Sequence, residues 1–336
     1  MTEDAFSHAF ARLDPDTLLN AVERFGMPCN GRIITLNSYE NRVFQLGLVA
    51  GGYVIAKFYR PERWSRAAIL EEHQFTLELA QAEIPVPAPL RNEHGDTLLE
   101  FSGFDYAVFP RIPGRSPELN SLPTLRSLGR CIARLHSVGE LSKFRHRLNV
   151  SVAELGRASM ELILNNATLP RELCNAYRDT AEPLLDQIDN AWANASPLRQ
   201  IRLHGDCHIG NILWNDDGPN LIDFDDCRNG PALQDLWMLL SGDRVQMTQQ
   251  LVALLSGYRE FRNPPLHELQ LIEPLRTLRM FQYSAWLAQR WQDPAFPMHF
   301  PWFGTQHYWQ DQIRSLQEQS ERLNETPWDA LWLDFE

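Results

Sequence analysis

The segment RLHGDCHIGNILW, residues 202–214, sets two histidines, an aspartate and an asparagine between plain hydrophobic residues. Asp206 and Asn211 stand five positions apart, and a further acidic group, Asp223-Phe224-Asp225, lies downstream. An aspartate, an asparagine five residues later and another aspartate beyond is the spacing of a phosphoryl-transfer loop. The residue types suit that chemistry: one carboxylate to accept a hydroxyl proton, and hard oxygen donors for magnesium. A lone His-x-Asp or Asp-Phe-Asp recurs by chance. The set gains weight because a strand lysine, Lys57, and a helix glutamate, Glu72, precede it in the order such chemistry needs.

These groups need elements to carry them. Asn215-Asp216-Asp217-Gly218 is a turn signal between Ile212-Leu213-Trp214 and Leu221-Ile222-Asp223-Phe224. The hairpin so formed brings Asn211 and Asp223 to one end. On an extended backbone Asp225 shares a face with Asp223, where it assists a metal or else stands solvated or caps a turn. Upstream, Ile33–Leu36, Val43–Leu46 and YVIAKFY read as an antiparallel meander with Lys57 inside its third strand. Residues 65–82 read as a helix capped by Ser65. At 3.6 residues per turn, Glu71, Gln74, Glu78 and Gln81 share a polar face, whereas Glu72 falls among Ala68, Phe75, Thr76 and Leu79. A carboxylate in an apolar stripe needs a partner or an exit to water. Lys57 is the natural partner.

A helix over 15–25 has Asp14 as its cap and Pro15 at its first position. Residues 85–114 hold two or three more strands. Beyond about residue 121 helices dominate, at 123–138, 151–165, 170–193, 231–241, 244–258, 266–291 and 305–324, with the hairpin as the only clear β element. The stretch DPAFPMHFPWFGTQHYW, 293–309, mixes prolines with aromatics and is expected to be irregular. It either closes the helical part as a packed loop or walls the acceptor cleft.

Composition narrows the field. With 44% hydrophobic and 22% charged residues over 336 positions, the chain reads as a soluble protein large enough for two lobes. No apolar run approaches the ~20 residues of a membrane span, and the acidic N-terminus MTEDAFSHAFARLD lacks a secretory pattern. Five cysteines without a Cys-x-x-Cys pair point to a reducing cytoplasm rather than disulfides or structural zinc. A net charge of −12 with no basic block excludes general nucleic-acid binding.

HGDCHIGNILW followed by LIDFDDCRNGPALQDLWMLL resembles the aminoglycoside phosphotransferase/choline kinase family. LNSYENRVFQL, AKFYRPERW, ILEEHQF, AVFP, IEPLR and DPAFPMHFPW extend the likeness, nearly end to end, to bacterial serine/threonine protein kinases of that family that act in the stress response. The resemblance implies an α+β, two-lobed, protein-kinase-like fold. Its nucleotide-binding lobe would span 1–109, its connector 110–114 and its helical catalytic lobe 115–336. It implies ATP and Mg2+ as cofactors, protein substrates with autophosphorylation, a cytoplasmic monomer, and no membrane or nucleic-acid partner.

Residue by residue, the resemblance makes Asp206 the proton acceptor, with Asp223 also catalytic, and Asn211 and Asp223 the magnesium ligands. Lys57 would hold the ATP phosphates, oriented by Glu72. Ser38 would cover the phosphates, Phe109–Arg111 would meet the adenine, and Asp235 would brace the catalytic loop. SYENR departs from a glycine-rich phosphate loop, and Asp-Phe-Asp from Asp-Phe-Gly. His204 is expected to order the loop, His208 either to neutralise phosphate or to bond locally, and Cys207 to matter only if its thiol is exposed and acidic. A small-molecule kinase for an amino alcohol, sugar or aminoglycoside shares these motifs, and the acidic balance suits a cationic acceptor. A metallohydrolase on His204, Asp206, His208 and Asp223 leaves Lys57, Glu72 and Asn211 idle. A pseudokinase scaffold lacks support because no expected charged group is missing.

Overall fold

A computed structural model of the chain describes residues 10, 12–119, 121–325 and 328; the outer ends of the expected lobes, 1–9 and 329–336, lie outside that range. Five antiparallel strands, β1 (Cys29–Leu36), β2 (Arg42–Leu48), β3 (Tyr53–Phe58), β4 (Leu99–Phe101) and β5 (Phe104–Pro110), form one sheet in the order β1-β2-β3-β5-β4. Helix α1 (Pro15–Arg24) starts where the sequence says, with the Asp14 carboxylate accepting the Thr17 N–H at 2.7 Å. It covers one sheet face through Leu18, Ala21, Val22 and Phe25, packed on Phe44, Leu46, Val54, Ala56, Phe58, Tyr106 and Val108. Strand periodicity of two turns the alternate residues Val43, Gln45, Ile55, Lys57 and Phe109 to the other face, where they line a cleft.

Helix α2 (Arg66–Gln81) follows β3, and Ser65 caps it by accepting the Ala68 N–H at 3.2 Å. Its apolar stripe does not stay with the sheet. Phe75 and Leu79 join the buried core of the helical half, alongside Leu125, Leu128 and Ile132 of α3 (Leu122–Gly139). That core is completed by α4 (Ala158–Leu164), α5 (Cys174–Asn194), α6 (Gln234–Trp237), α7 (Arg244–Tyr258), α8 (Ile272–Arg290) and α10 (Gln306–Leu323). The hairpin of β7 (Ile212–Asn215) and β8 (Gly218–Leu221) forms as expected, and a second short pair, β6 (Ile201–Leu203) with β9 (Arg228–Gly230), flanks it.

Several helix boundaries differ from the periodicity. The expected helix over 266–291 opens as a 3₁₀ stretch, Leu266–Leu271, before α8. Pro274 has no N–H to give the Gln270 carbonyl, so the α-ladder cannot run further back. The 151–165 helix begins as a π-helical turn at Val152–Arg157, and 170–193 begins with a 3₁₀ turn at Arg171–Leu173. The 231–241 helix shrinks to α6, whose start is fixed by the Glu268 carboxylate accepting the Leu233 N–H at 2.8 Å. The 293–309 stretch is not wholly irregular: it holds α9 (Ala295–His299). Pro294 and Pro297 sit at the cap and in the first turn, where a missing N–H costs nothing. No helix among the described residues is long and apolar enough to cross a membrane.

Helices α3 and α7 approach so closely that a β-carbon on Gly129 would land on the Leu254 carbonyl, and one on Gly257 on the Arg126 carbonyl. The contact sets His136 of α3 against Tyr258 of α7, Nδ1 to hydroxyl 2.9 Å. In a free helix Gly→Ala gains up to ~1 kcal/mol, but here the steric term wins. Gly129→Ala is expected to lose about 3 kcal/mol in urea unfolding; a gain would contradict the packing.

Candidate active site

The cleft between the sheet and the β7–β8 hairpin has a volume of about 420 Å³. It gathers Ser38, Lys57, Glu72, Phe109, Arg111, Asn211 and Asp223, seven of the eight residues singled out from the sequence. Ser38 lies in the β1–β2 turn, and Phe109 and Arg111 lie where β5 runs into the connector. The Arg111 guanidinium reaches back to β2, Nε donating to Gln45 Oε1 at 2.9 Å. Asp206 is not part of the lining but adjoins it, its Oδ2 3.5 Å from Asn211 Nδ2.

Lys57 is the centre of the floor. Its ammonium stands 3.3 Å from Glu72 Oε1, 3.5 Å from Asp223 Oδ1 and 3.0 Å from Asp225 Oδ1. Burial alone would depress its pKa, but Asp225, Glu72 and Asp223 together hold it well above the ordinary value. Glu72 is 2% exposed, so it does not reach water. Arg147 takes its second oxygen at 2.7 Å and also donates Nε to the Ala68 carbonyl at 2.9 Å. Arg147, missed by the sequence reading, thereby ties α2 to the segment after α3. Its only sequence signal was arithmetic: a stripe-embedded glutamate and two cleft aspartates outnumber one lysine.

The segment after β8 corrects the extended reading. Asp223 adopts a left-handed conformation, φ 60° and ψ 70°, and Phe224–Asp226 coil into a 3₁₀ turn. Asp225 therefore does not line the cleft beside Asp223, nor does it meet solvent. It is buried, with Lys57 on one oxygen and Arg63 on the other at 2.6 Å. Burial pushes its carboxyl up, but Arg63, Lys57 and Arg147 outweigh that and hold it below the usual range. Asp223 differs. Its side chain is 53% open to the cleft, and Lys57 is its one ion-pair partner among the described residues. Its pKa is raised, first by recession into the cleft, with Lys57 opposing and Asp225, Glu72 and Asp226 adding to the rise.

Asn211 would offer an oxygen donor beside Asp223. Its Nδ2 donates to the Asp206 carbonyl at 3.0 Å, which leaves its amide oxygen free for the cleft it lines. No group of three or more His, Cys, Asp or Glu side chains able to hold a metal occurs among the described residues. One carboxylate and one amide oxygen suit magnesium, which takes its remaining ligands from water and substrate phosphates. They do not suit zinc. The hydrolase alternative loses its ligands as well, since His204 Nε2 donates to the Ile222 carbonyl at 2.8 Å and Nδ1 accepts the Asp206 N–H at 3.3 Å.

The loop bearing Asp206 is held by its backbone. Asp235 accepts the N–H groups of His204 and Gly205, both at 2.8 Å, and takes His136 Nε2 at 3.2 Å, so the expected brace is present. Gly205 has φ +86°, and a β-carbon there would strike the Asp226 carbonyl. The Asp206 carboxylate meets Arg279 of α8 at 3.0 Å and His208 Nε2 at 3.4 Å. Burial raises its pKa, but the His208 hydrogen bond and Arg279 prevail and keep it below the usual carboxylate range. His208 Nδ1 also accepts the Gly210 N–H at 2.9 Å, so this residue both bonds locally and touches Asp206. The Cys207 thiol is buried, and burial followed by Asp235 pushes its pKa well up, which removes the basis for redox reactivity.

Residues 32–298 match the model of the phosphotransferase enzyme family. The chain is 42% identical over 327 residues to stress response kinase A of Salmonella choleraesuis (strain SC-B67), covering 97% of this chain and 98% of the relative. The same identity and coverage relate it to serine/threonine protein kinase RdoA of Salmonella typhimurium. Among solved structures, an amicoumacin kinase in complex with AMP-PNP, Ca2+ and Ami superposes with a TM-score of 0.72 at 17% identity, covering 96% of this chain and 97% of that one. A microcompartment-associated aminopropanol kinase gives 0.66 at 17% identity, covering 91% and 95%. The likeness of fold agrees with the sheet-rich N-terminal and helical C-terminal parts described above.

Removing Arg147 strands a buried carboxylate. Arg147→Ala should cost about 3–5 kcal/mol in chemical denaturation, and Arg147→Lys should recover only part of it, because one ammonium cannot reach both Ala68 and Glu72. A second expectation concerns pH. Glu268 is buried with one hydrogen bond, and burial, opposed by the Leu233 bond and Arg262, pushes its carboxyl up to about 7. The folded state thus keeps a proton that the unfolded chain releases near the ordinary value of 4.5. That contribution to stability is full below pH 4.5 and lost as pH rises to 7, about 3 kcal/mol in all. Glu268→Gln should remove this slope from urea midpoints measured between pH 5 and 8.

Proposed function

The chain belongs to the phosphotransferase enzyme family, and on that premise we propose that it is an ATP- and magnesium-dependent kinase acting on serine and threonine hydroxyls of proteins in a stress response. The observation that carries the reading is the convergence of Lys57, Glu72, Asn211 and Asp223, from four separate elements, on one cleft. The adenine lies among the apolar side chains of Val43, Ile55, Leu213 and Ile222 that line its walls, next to Phe109 and the connector at Arg111. Lys57 takes the phosphates, and Glu72 fixes its ammonium through the 3.3 Å contact. Asn211 and Asp223 hold magnesium, which supplies charge neutralisation on the transferring phosphoryl group.

Asp206 orients the acceptor hydroxyl and takes its proton. Its low pKa is no obstacle, since phosphoryl transfer proceeds through a loose transition state in which the hydroxyl loses its proton late and positioning supplies most of the rate. Two facts support the acceptor class. Relatives alike over nearly the whole chain are named as stress response and serine/threonine protein kinases. The guanidinium of Arg279 rests on Asp206 at 3.0 Å, which makes the surroundings of the base unfavourable to a cationic amino alcohol or aminoglycoside despite the acidic net charge of the chain.

Incubation with labelled ATP and magnesium, with a generic protein acceptor in one arm and choline or an aminoglycoside in the other, should place label on protein, the chain itself included. Asp206→Asn should lower transfer about a thousandfold while nucleotide affinity stays within about threefold, a change below 1 kcal/mol. Wild-type turnover in that variant, or label confined to the small amine, would overturn the assignment.

A further inference from the structure

The β1–β2 turn, Asn37–Asn41, lies over the nucleotide cleft and contains no glycine. A glycine-rich loop closes on phosphate by bringing its backbone close, and this turn lacks that freedom. Its two sides do different things. Ser38 and Asn41 line the cleft. Tyr39 and Glu40 reach away from it, onto α8 and α9. The Tyr39 ring packs against Phe300 at 5.1 Å and His299 at 5.4 Å between centroids. Glu40, 8% exposed, receives Trp286 Nε1 at 2.7 Å and Arg290 Nη2 at 2.7 Å, both from α8.

The clamp is connected to the cleft floor. Arg60, just past β3, stands 3.2 Å from Glu40 Oε1, donates Nε to the Glu40 carbonyl at 2.9 Å, and pairs with Asp293 at 2.9 Å. Arg63 stands 3.7 Å from Glu40 and 2.6 Å from Asp225, which in turn meets Lys57 at 3.0 Å. One buried carboxylate therefore serves three guanidiniums, and an unbroken line of charge runs from the turn to the phosphate-binding lysine. None of these contacts is needed to build the sheet, which is complete without α8.

We propose that Glu40 is a positioning residue for the nucleotide: by clamping the β1–β2 turn to Trp286 and Arg290 of α8, it sets Ser38 over the phosphates. The inference rests on the site reading given above. It exchanges a loop that closes by flexibility for one held closed by a lobe-to-lobe ion pair, and it gives the aromatic segment after α8 a task as the seat of Tyr39. Without the carboxylate, Arg60, Arg63 and Arg290 lose their shared counter-ion, and the turn lifts from the cleft.

The test measures AMP-PNP affinity by calorimetry, KM for ATP, kcat and Tm in full-length Glu40→Gln, Arg290→Ala, the double variant and Lys57→Met. Glu40→Gln and Arg290→Ala should each weaken AMP-PNP binding and raise KM for ATP about tenfold, a change of about 1.4 kcal/mol. kcat at saturating ATP should stay within about threefold and Tm within a few degrees. The double variant should be no weaker than the worse single one, because both break one clamp. Unchanged AMP-PNP affinity in Glu40→Gln with a loss in Lys57→Met would overturn the clamp alone. Additive losses, or a loss that follows a fall in Tm, would reduce Glu40 to a structural ion pair and overturn it too. Full affinity in Lys57→Met would overturn the site reading and the clamp with it.

Discussion

A lysine ammonium removed from water must be surrounded by anions, and that requirement organises this molecule around Lys57. Three carboxylates meet it from two elements: Glu72 from α2, Asp223 and Asp225 from the turn after β8. Each pairing is costly unless both members are held in place, since a buried charge left unpartnered outweighs any single contact. The holding is done by arginines. Arg147 fixes Glu72 from the far side, and Arg63 fixes Asp225. Of the three carboxylates, Asp223 alone is left half open to the cleft, with Lys57 as its one ion-pair partner among the described residues.

The loop bearing Asp206 is made rigid by a different means. Its backbone N–H groups at His204 and Gly205 end on one carboxylate, Asp235, and that carboxylate is fixed by His136, which is fixed by Tyr258. The close approach of α3 and α7 at Gly129 and Gly257 makes this chain of contacts possible. Glu268 secures the start of α6, the helix bearing Asp235. Packing far from the cleft thus decides where Asp206 stands.

Helix α8 links the two ends of the site. Arg279 lies on Asp206, and Trp286 and Arg290, two and three turns further along, lie on Glu40 of the β1–β2 turn. A rigid helix touching both Asp206 and the β1–β2 turn keeps their separation constant. It also accounts for the aromatic stretch after α8: Phe296 and Phe300 pack on Trp286, and Tyr39 packs on Phe300. That stretch is neither a plain packed loop nor, on these contacts, a free wall of the cleft.

Much of this was legible in the chain. The strand signals placed Lys57 inside the third strand of a meander, the 3.6 period put Glu72 in a stripe where it demanded a partner, and the hairpin turn brought Asn211 and Asp223 to one end. These are local relations, carried by backbone geometry within a few residues, and sequence determines them directly. What it left open involved partners far apart in the chain. Asp225 looked like a metal or solvent residue until the left-handed Asp223 turned it onto Arg63 and Lys57. Arg147, Arg279 and Arg290 carry no local pattern, because a surface arginine and a buried ion-paired one have the same neighbours in sequence. Only the folded chain, where the energy of a charge depends on what lies within a few ångströms rather than a few residues, separates the two.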